Sequence, residues 1–332
     1  MTAQRSSRGK RRYDDDGWAP TPATRTYHAI DRDPDDPHPD SRDPDDPHPA
    51  GRDRDVRDPH GHDPHGHDPD GEPSWSSYRE STKGPEPIPS WVVIDPRAVD
   101  TDHGVMKTGK EADVSLLHRQ LSAEHADGDP EHDCWLAVKQ YRSAEHRLFH
   151  RDAGYLEGRR VRRSREMRAM AIRTEFGREL IAGQWASAEF TVLSRLWEAG
   201  AAVPYPVQLI GTELMMEFIG NDGVAAPRLA QVRPDRADAA DLYQQMREVL
   251  RQLADAGYAH GDLSPYNVLV DDGRLVLIDL PQAVDLVGNP QGFDYLHRDC
   301  VNICSWFQAH GAPHADASEL SEFLLRSVPG LG

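Results

Sequence analysis

The segment His260-Gly-Asp-Leu-Ser-Pro-Tyr-Asn267 sets a carboxylate, Asp262, five residues before an amide, Asn267. Twelve residues further on, the apolar run LVLI ends in a second carboxylate, Asp279. Phosphoryl transfer from a nucleotide needs one carboxylate to orient or deprotonate the attacking hydroxyl. It also needs a carboxylate and an amide oxygen to hold Mg²⁺ against the phosphates. The spacing therefore assigns Asp262 as base or orienter and Asn267 and Asp279 as metal ligands. An aspartate closing a strand is equally a turn former, and it is the HGDxxxxN upstream that favours the chemical reading of Asp279.

Lys139 ends the strand-like run LAVK, where an ammonium wants a partner or an anionic ligand. Glu189 is its expected partner. It lies four residues from both Trp185 and Leu193 and seven from Leu196, which places it on the buried face of a helix. An unpaired carboxylate there would be costly. Lys139 would then reach the α- and β-phosphates of ATP. Thr108, Gly109 and Lys110, in Thr-Gly-Lys-Glu-Ala-Asp-Val114, are read as a phosphate loop, although a plain strand-to-strand turn fits the same residues. Backbone groups of Glu217 and Ile219, in LMMEFIG, are read as contacts to the adenine edge, with Met216 lining the pocket.

These residues need elements to hold them. Residues 105–118 read as two strands around a turn and CWLAVKQY as a buried strand. A helix is expected from Gln184 to Ala199, with strands at VQLI and ELMMEFI. Leu242, Met246, Val249, Leu250 and Leu253 mark an amphipathic helix with Gly257 as its cap. NVLV and RLVLID form a hairpin across Asp271-Asp272-Gly273. Further helices follow around Leu296–Phe307 and Leu320–Leu324. WVVI, residues 91–94, is a short strand or a hydrophobic anchor. A strand-rich first half and a helical second half predict an α+β, two-lobed, protein-kinase-like fold: a small sheet lobe with one key helix, and a reduced helical lobe. The boundaries read as a tail over 1–89, a sheet lobe over 90–220 and a helical lobe over 221–332.

The tail carries no such pattern. RDPDDPHP occurs at 32–39 and again at 42–49, and residues 31–72 hold much of a formal net charge of −18. Frequent proline and few apolar side chains predict disorder there. Its histidines, including His60, His62, His65 and His67, are read as solvated, with loose metal binding as the alternative. Three cysteines are too few for a disulfide framework, and Cys300 and Cys304 are read as core packing. No apolar run is long enough to span a bilayer, and no signal segment is recognised, so a cytoplasmic location and no membrane partner are expected.

Taken together, TGKEADV, LAVKQYR, WASAEFTVLSRLWEAGAAVPYPV, MMEFIG, HGDLSPYNVLV, LIDLPQAVD and RDCVNI resemble the RIO family of atypical serine protein kinases, in its first and most widespread branch. The resemblance runs from about residue 104 to 310. It implies a kinase fold without a long activation segment or peptide-binding subdomains, ATP and Mg²⁺ as cofactors, autophosphorylation on serine and possible ATPase activity. By position it implies that Lys139 binds phosphates and Glu189 pairs with it. Asp262 would be catalytic, Asn267 and Asp279 would bind metal, and Asp279 would carry an aspartyl-phosphate. Two alternatives stand beside a protein kinase of unknown substrate: an ATPase switch in ribosome or RNP assembly, and a small-molecule kinase of the aminoglycoside or choline type. Seven arginines between Arg159 and Arg173 suggest contact with ribosomal RNA or a ribosomal particle; a solvated face is the plainer reading.

Overall fold

The computed structural model describes residues 74–109, 111–122, 132–142 and 175–330, with side chains from residue 180 onward in the last stretch. Five longer strands build the first lobe: β3 (Val99–Thr108), β4 (Ala112–Leu121), β5 (His132–Tyr141), β6 (Pro206–Ile210) and β7 (Glu213–Glu217). Two short strands, β1 (Ser74–Trp75) and β2 (Thr82–Lys83), complete an antiparallel sheet of order β1-β3-β4-β5-β7-β6-β2.

That order dictates curvature. β1 pairs with β3 at one edge and β2 with β6 at the other. A flat seven-stranded sheet would separate its edges by about 29 Å. The chain from Trp75 to Thr82 spans at most roughly 25 Å when fully extended, and it includes a turn of 3₁₀ helix at Tyr78–Glu80. The sheet must therefore curl.

Inside the curl, the fully buried Arg119 makes a bidentate pair with Asp100 at 2.7 and 2.8 Å and donates to Gln208 at 3.0 Å. Gln208 in turn donates to Ser77 at 2.9 Å. A buried guanidinium left unpaired would cost several kcal/mol, on the order of 3–5. Here both oxygens of its partner are engaged.

This lobe includes residues 74–89, ahead of the boundary at residue 90 expected from composition. Tyr78 is buried, and the Tyr205 hydroxyl donates to the Pro85 carbonyl at 3.0 Å. Of the two readings for WVVI, the anchor holds: Val92 and Val93 are buried, but no strand forms.

Helix α1 (Glu175–Glu198) packs on this sheet through Phe190, Leu193, Leu196 and Trp197. After β7 the chain makes a small hairpin of β8 (Gly220–Asn221) and β9 (Val224–Ala225) and enters the helical lobe. Helix α2 (Arg236–Asp255) starts at Asp235, whose carboxylate accepts from the Ala237 and Asp238 amides. It stops at Gly257, at φ 86°, a conformation that costs glycine little. Its apolar stripe, Leu242, Met246, Val249, Leu250 and Leu253, is buried with Leu296, Cys300, Ile303, Cys304 and Phe307 of α3 (Gly292–Ala309). Helix α4 (Ala317–Leu325) closes the lobe. Short pairs sit between: β10 (Tyr258–Ala259) with β13 (Val284–Asp285), and the hairpin β11 (Val268–Asp271) with β12 (Arg274–Leu277). The two-lobed α+β expectation thus holds. Among the described residues no helix is long and apolar enough to cross a membrane, and no cluster of three or more His, Cys, Asp or Glu is arranged as a metal site.

Candidate active site

Lys139 lies two residues before the end of β5, and its side chain crosses to two acids. Its ammonium is 3.0 Å from both carboxylate oxygens of Glu189 and 2.6 Å from Oδ1 of Asp279. The helical spacing that put Glu189 on the buried face of α1 is borne out by its 1% exposure. Its carboxylate also accepts the Tyr141 hydroxyl and, at 2.9 Å, the Leu280 amide. One carboxylate therefore joins β5, α1 and the chain just after Asp279. Burial would push Lys139 towards its neutral form, but the two facing carboxylates raise its pKa above the usual lysine value.

Asp279 follows β12 with φ 67°, a conformation that costs a non-glycine residue about 1–3 kcal/mol. The surrounding bonds hold it: the Ile278 amide donates to the Asn267 carbonyl at 3.0 Å and the Leu280 amide to Glu189. Burial works to raise the Asp279 pKa, but the nearby positive charges of Lys139 and then Lys107 outweigh it and hold the carboxyl at about 2.

The HGDxxxxN segment is shaped from below by α3. Both oxygens of the buried Asp299 accept backbone amides, from Gly261 at 2.8 Å and Leu263 at 3.0 Å. Arg298 donates to the Gly261 carbonyl and Asn302, at 3.2 Å, to the Leu263 carbonyl. Gly261 is required twice over: its φ is 82°, and a Cβ would meet the Gln282 carbonyl oxygen at 2.4 Å. His260 is buried with Nε2 3.1 Å from the Ile278 carbonyl and Nδ1 facing the Asp262 amide at 3.4 Å. The network therefore assigns the proton to Nε2. The Asn267 side-chain amide donates to the Asp262 carbonyl at 2.9 Å, which ties the two residues of the motif together.

Glu111 reports that these groups share one space. Its pKa is pushed up to about 7, first by burial, then by the negative charge of Asp279 and, less strongly, Asp262; Lys139 acts in the opposite direction. Gln282, three residues beyond Asp279, donates to it at 2.9 Å.

Cross-strand register supplies the apolar walls. Leu116, Ala137 and Met216 are directly opposed across β4, β5 and β7, so they share a face two residues along from Lys139. Ile219, Ala226 and Val276, with Leu269 and Ile278, form a separate apolar cluster where the chain leaves the sheet lobe. The Glu217 amide donates to the Tyr205 carbonyl and the Ile219 carbonyl accepts from Ala226.

Of the residues read from the sequence, Lys139 touches Glu189 and Asp279, while Asn267 is bonded to Asp262 and, through its carbonyl, to the Ile278 amide beside Asp279. Thr108 and Gly109 sit at the tip of the β3–β4 hairpin, but the Gly109 amide donates to the Ala112 carbonyl at 2.9 Å. That amide closes the strand-to-strand turn. Lys110 and Arg159 to Arg173 lie outside the described residues. Sequence reasoning missed Tyr141, Glu111, Gln282 and the α3 trio of Arg298, Asp299 and Asn302. A separate cavity of about 750 Å³, lined in part by Gly183, Ser187, Thr191 and Tyr258, lies along α1 and includes none of the site residues.

Residues 125–320 match the family described as the RIO domain (RIO1). The chain is 38% identical over 227 residues to the RIO-type serine/threonine-protein kinase Rio1 of Haloferax volcanii, covering 68% of this chain and 69% of that protein. It is 32% identical over 223 residues to the serine/threonine-protein kinase RIO1 of Caenorhabditis elegans, covering 67% of this chain but 40% of that longer protein. A solved structure of the Rio2 kinase from Chaetomium thermophilum, an ADP/Mg²⁺–phosphoaspartate complex, is 21% identical with a TM-score of 0.45, covering 67% of this chain and 60% of that one.

Proposed function

We propose that this chain, which belongs to the RIO family, is an ATP-dependent serine protein kinase of the atypical type, working with Mg²⁺ between its two lobes. The observation that carries the reading is the Lys139 ammonium, bonded at once to Glu189 and to Asp279. Such a lysine-glutamate pair, with a metal-binding aspartate beside it, is the arrangement that phosphoryl transfer requires.

The roles follow from position. Lys139, held by Glu189, neutralises the α- and β-phosphates. Asp262 accepts the proton of the serine hydroxyl as that oxygen takes the γ-phosphoryl group and ADP leaves. Asn267 and Asp279 would hold Mg²⁺, which when bound offsets the charge of the phosphates. The donor set fits: burial, and then the negative charges of Asp279 and Asp262 beside it, bring Glu111 to about 7, and Asp279 remains ionised at neutral pH. Leu116, Ala137 and Met216 form the roof for adenine, and the Ile219 amide reads its edge. From Asp279 to the start of α3 at Gly292 is only thirteen positions (292 − 279), too few for an extended peptide-docking segment. This favours a serine on the chain itself or on a bound assembly as acceptor. Similarity to named serine/threonine kinases across two thirds of the chain favours this reading over a small-molecule kinase.

The test is incubation of the full chain with γ-labelled ATP and Mg²⁺, following acid-stable label on serine, acid-labile label and released phosphate. Asp262→Ala is expected to lower acid-stable labelling by at least about 100-fold, the lower range for a positioned base. A variant as active as the wild type would overturn the role of Asp262. Wild-type chain that neither labels nor releases phosphate would overturn the function.

A further inference from the structure

The β3–β4 hairpin carries a cation, Lys107, to which the mechanism above gives no role. Asp102 faces Leu117, and an unbroken register would carry Lys107, five positions on, opposite residue 112. Two one-residue shifts, between Asp102 and Val105 and between Val105 and Lys107, move Lys107 opposite Val114 instead. Bulges of this kind re-aim side chains. Ala112 lies opposite Tyr141, and Val114 lies opposite Lys139. The irregularity thus transfers Lys107 from the row of Tyr141 to the row of Lys139.

Directly opposed residues in antiparallel strands project from the same face. Lys107, Val114 and Lys139 therefore form one line across β3, β4 and β5, with the two lysine backbones two strand spacings apart, roughly 10 Å. Lys107 is exposed, and it stands in the row of Lys139, the residue that touches Asp279. Its place in that row sets it beside the same end of the site, on the hairpin side. Two cations in a line, on the face that carries the apolar roof, match an extended polyphosphate better than a single phosphate.

We propose that Lys107 is a second triphosphate-binding cation that acts alongside Lys139 and makes the site favour ATP over nucleotides with shorter phosphate chains. The inference rests on the kinase reading above and adds a residue to it.

Calorimetric titration of the full-length chain with ATP, ADP, AMP and adenosine, in Mg²⁺, tests it. Lys107→Ala is expected to weaken ATP binding about tenfold, AMP less, and adenosine not at all. Lys107→Arg is expected to restore ATP binding to within about threefold of wild type. An ATP isotherm for Lys107→Ala that superimposes on a measurable wild-type isotherm would overturn the inference and leave the kinase reading intact. Equal weakening of ATP and adenosine would also overturn it, because the lysine would then be shaping the hairpin. Wild-type chain that binds no ATP would overturn the reading beneath.

Discussion

The carboxylate of Glu189 accepts the Leu280 amide at 2.9 Å, which couples the middle of α1 to the residue that follows Asp279. The same carboxylate holds Lys139 and the Tyr141 hydroxyl. One side chain thus links the middle of the helix, the lysine and the backbone just after Asp279, and shares with Asp279 the task of holding the lysine charged.

Glu189→Ala would leave a buried ammonium, hydroxyl and amide short of a partner. A loss of about 3–5 kcal/mol in unfolding free energy is expected, the range for breaking a buried pair, with near-complete loss of phosphotransfer. Urea denaturation of the full chain measures the first. Glu189→Gln, which keeps the shape and loses the charge, is expected to fall between wild type and Ala.

Asp299, itself buried, orders the HGD loop through two backbone amides. Asp299→Ala releases the Gly261 and Leu263 amides, each costing about 1–3 kcal/mol when buried unpaired. The expected result is a fall in kcat of about 10–1000-fold with a much smaller change in the KM for ATP. A variant with wild-type kcat would remove Asp299 from the machinery.

Glu111 gives stability a definite pH slope. Its carboxyl titrates near 4.5 when unfolded and at about 7 when folded, so between these values the folded chain binds more protons. Stability contributed by protonated Glu111 is complete below about 4.5 and is lost as pH rises to about 7. Asp279 acts in the opposite sense and lower down: its stabilising charge is present above 3.8 and lost as pH falls towards 2. Thermal unfolding from pH 4.5 to 7.5 is expected to show Glu111→Gln with a flatter profile than wild type.

The membership of β1 and β2 in the sheet lobe separates two truncations. A chain of residues 74–332 is expected to unfold like the full chain. A chain of residues 90–332 loses β1, β2, the buried Tyr78 and the Ser77 partner of Gln208. It is expected to be about 2–4 kcal/mol less stable. Equal midpoints in urea would show that the first strands contribute nothing.

The sequence made the chemistry legible where a pattern met an anomaly. Glu189 stood out as an acid on an apolar helix face, and Asp262 with Asn267 as polar residues at fixed spacing before a strand. Asp299 carries the same signature, three residues after Leu296 and four before Ile303, and the logic that located Glu189 reaches it. Lys107, Glu111 and Gln282 were hidden for another reason. Their roles depend on strand register and on contacts across 171 positions of chain, as for Glu111 with Gln282, and local spacing does not encode those. The strands at Ser74–Trp75 and Thr82–Lys83 are too short to show alternation, so the tail seemed to run on to 89.

The three thiols divide between the lobes, Cys134 on β5 and Cys300 with Cys304 on α3, all buried. Burial pushes Cys134 to about 11 and Cys300 to about 12, and raises Cys304 as well. Thiolate is the form that alkylating reagents attack, so the native chain is inert to them at neutral pH. Each modification event therefore timestamps an excursion of its own lobe, and peptide mapping of labelled chain reads the breathing of the two halves as separate clocks.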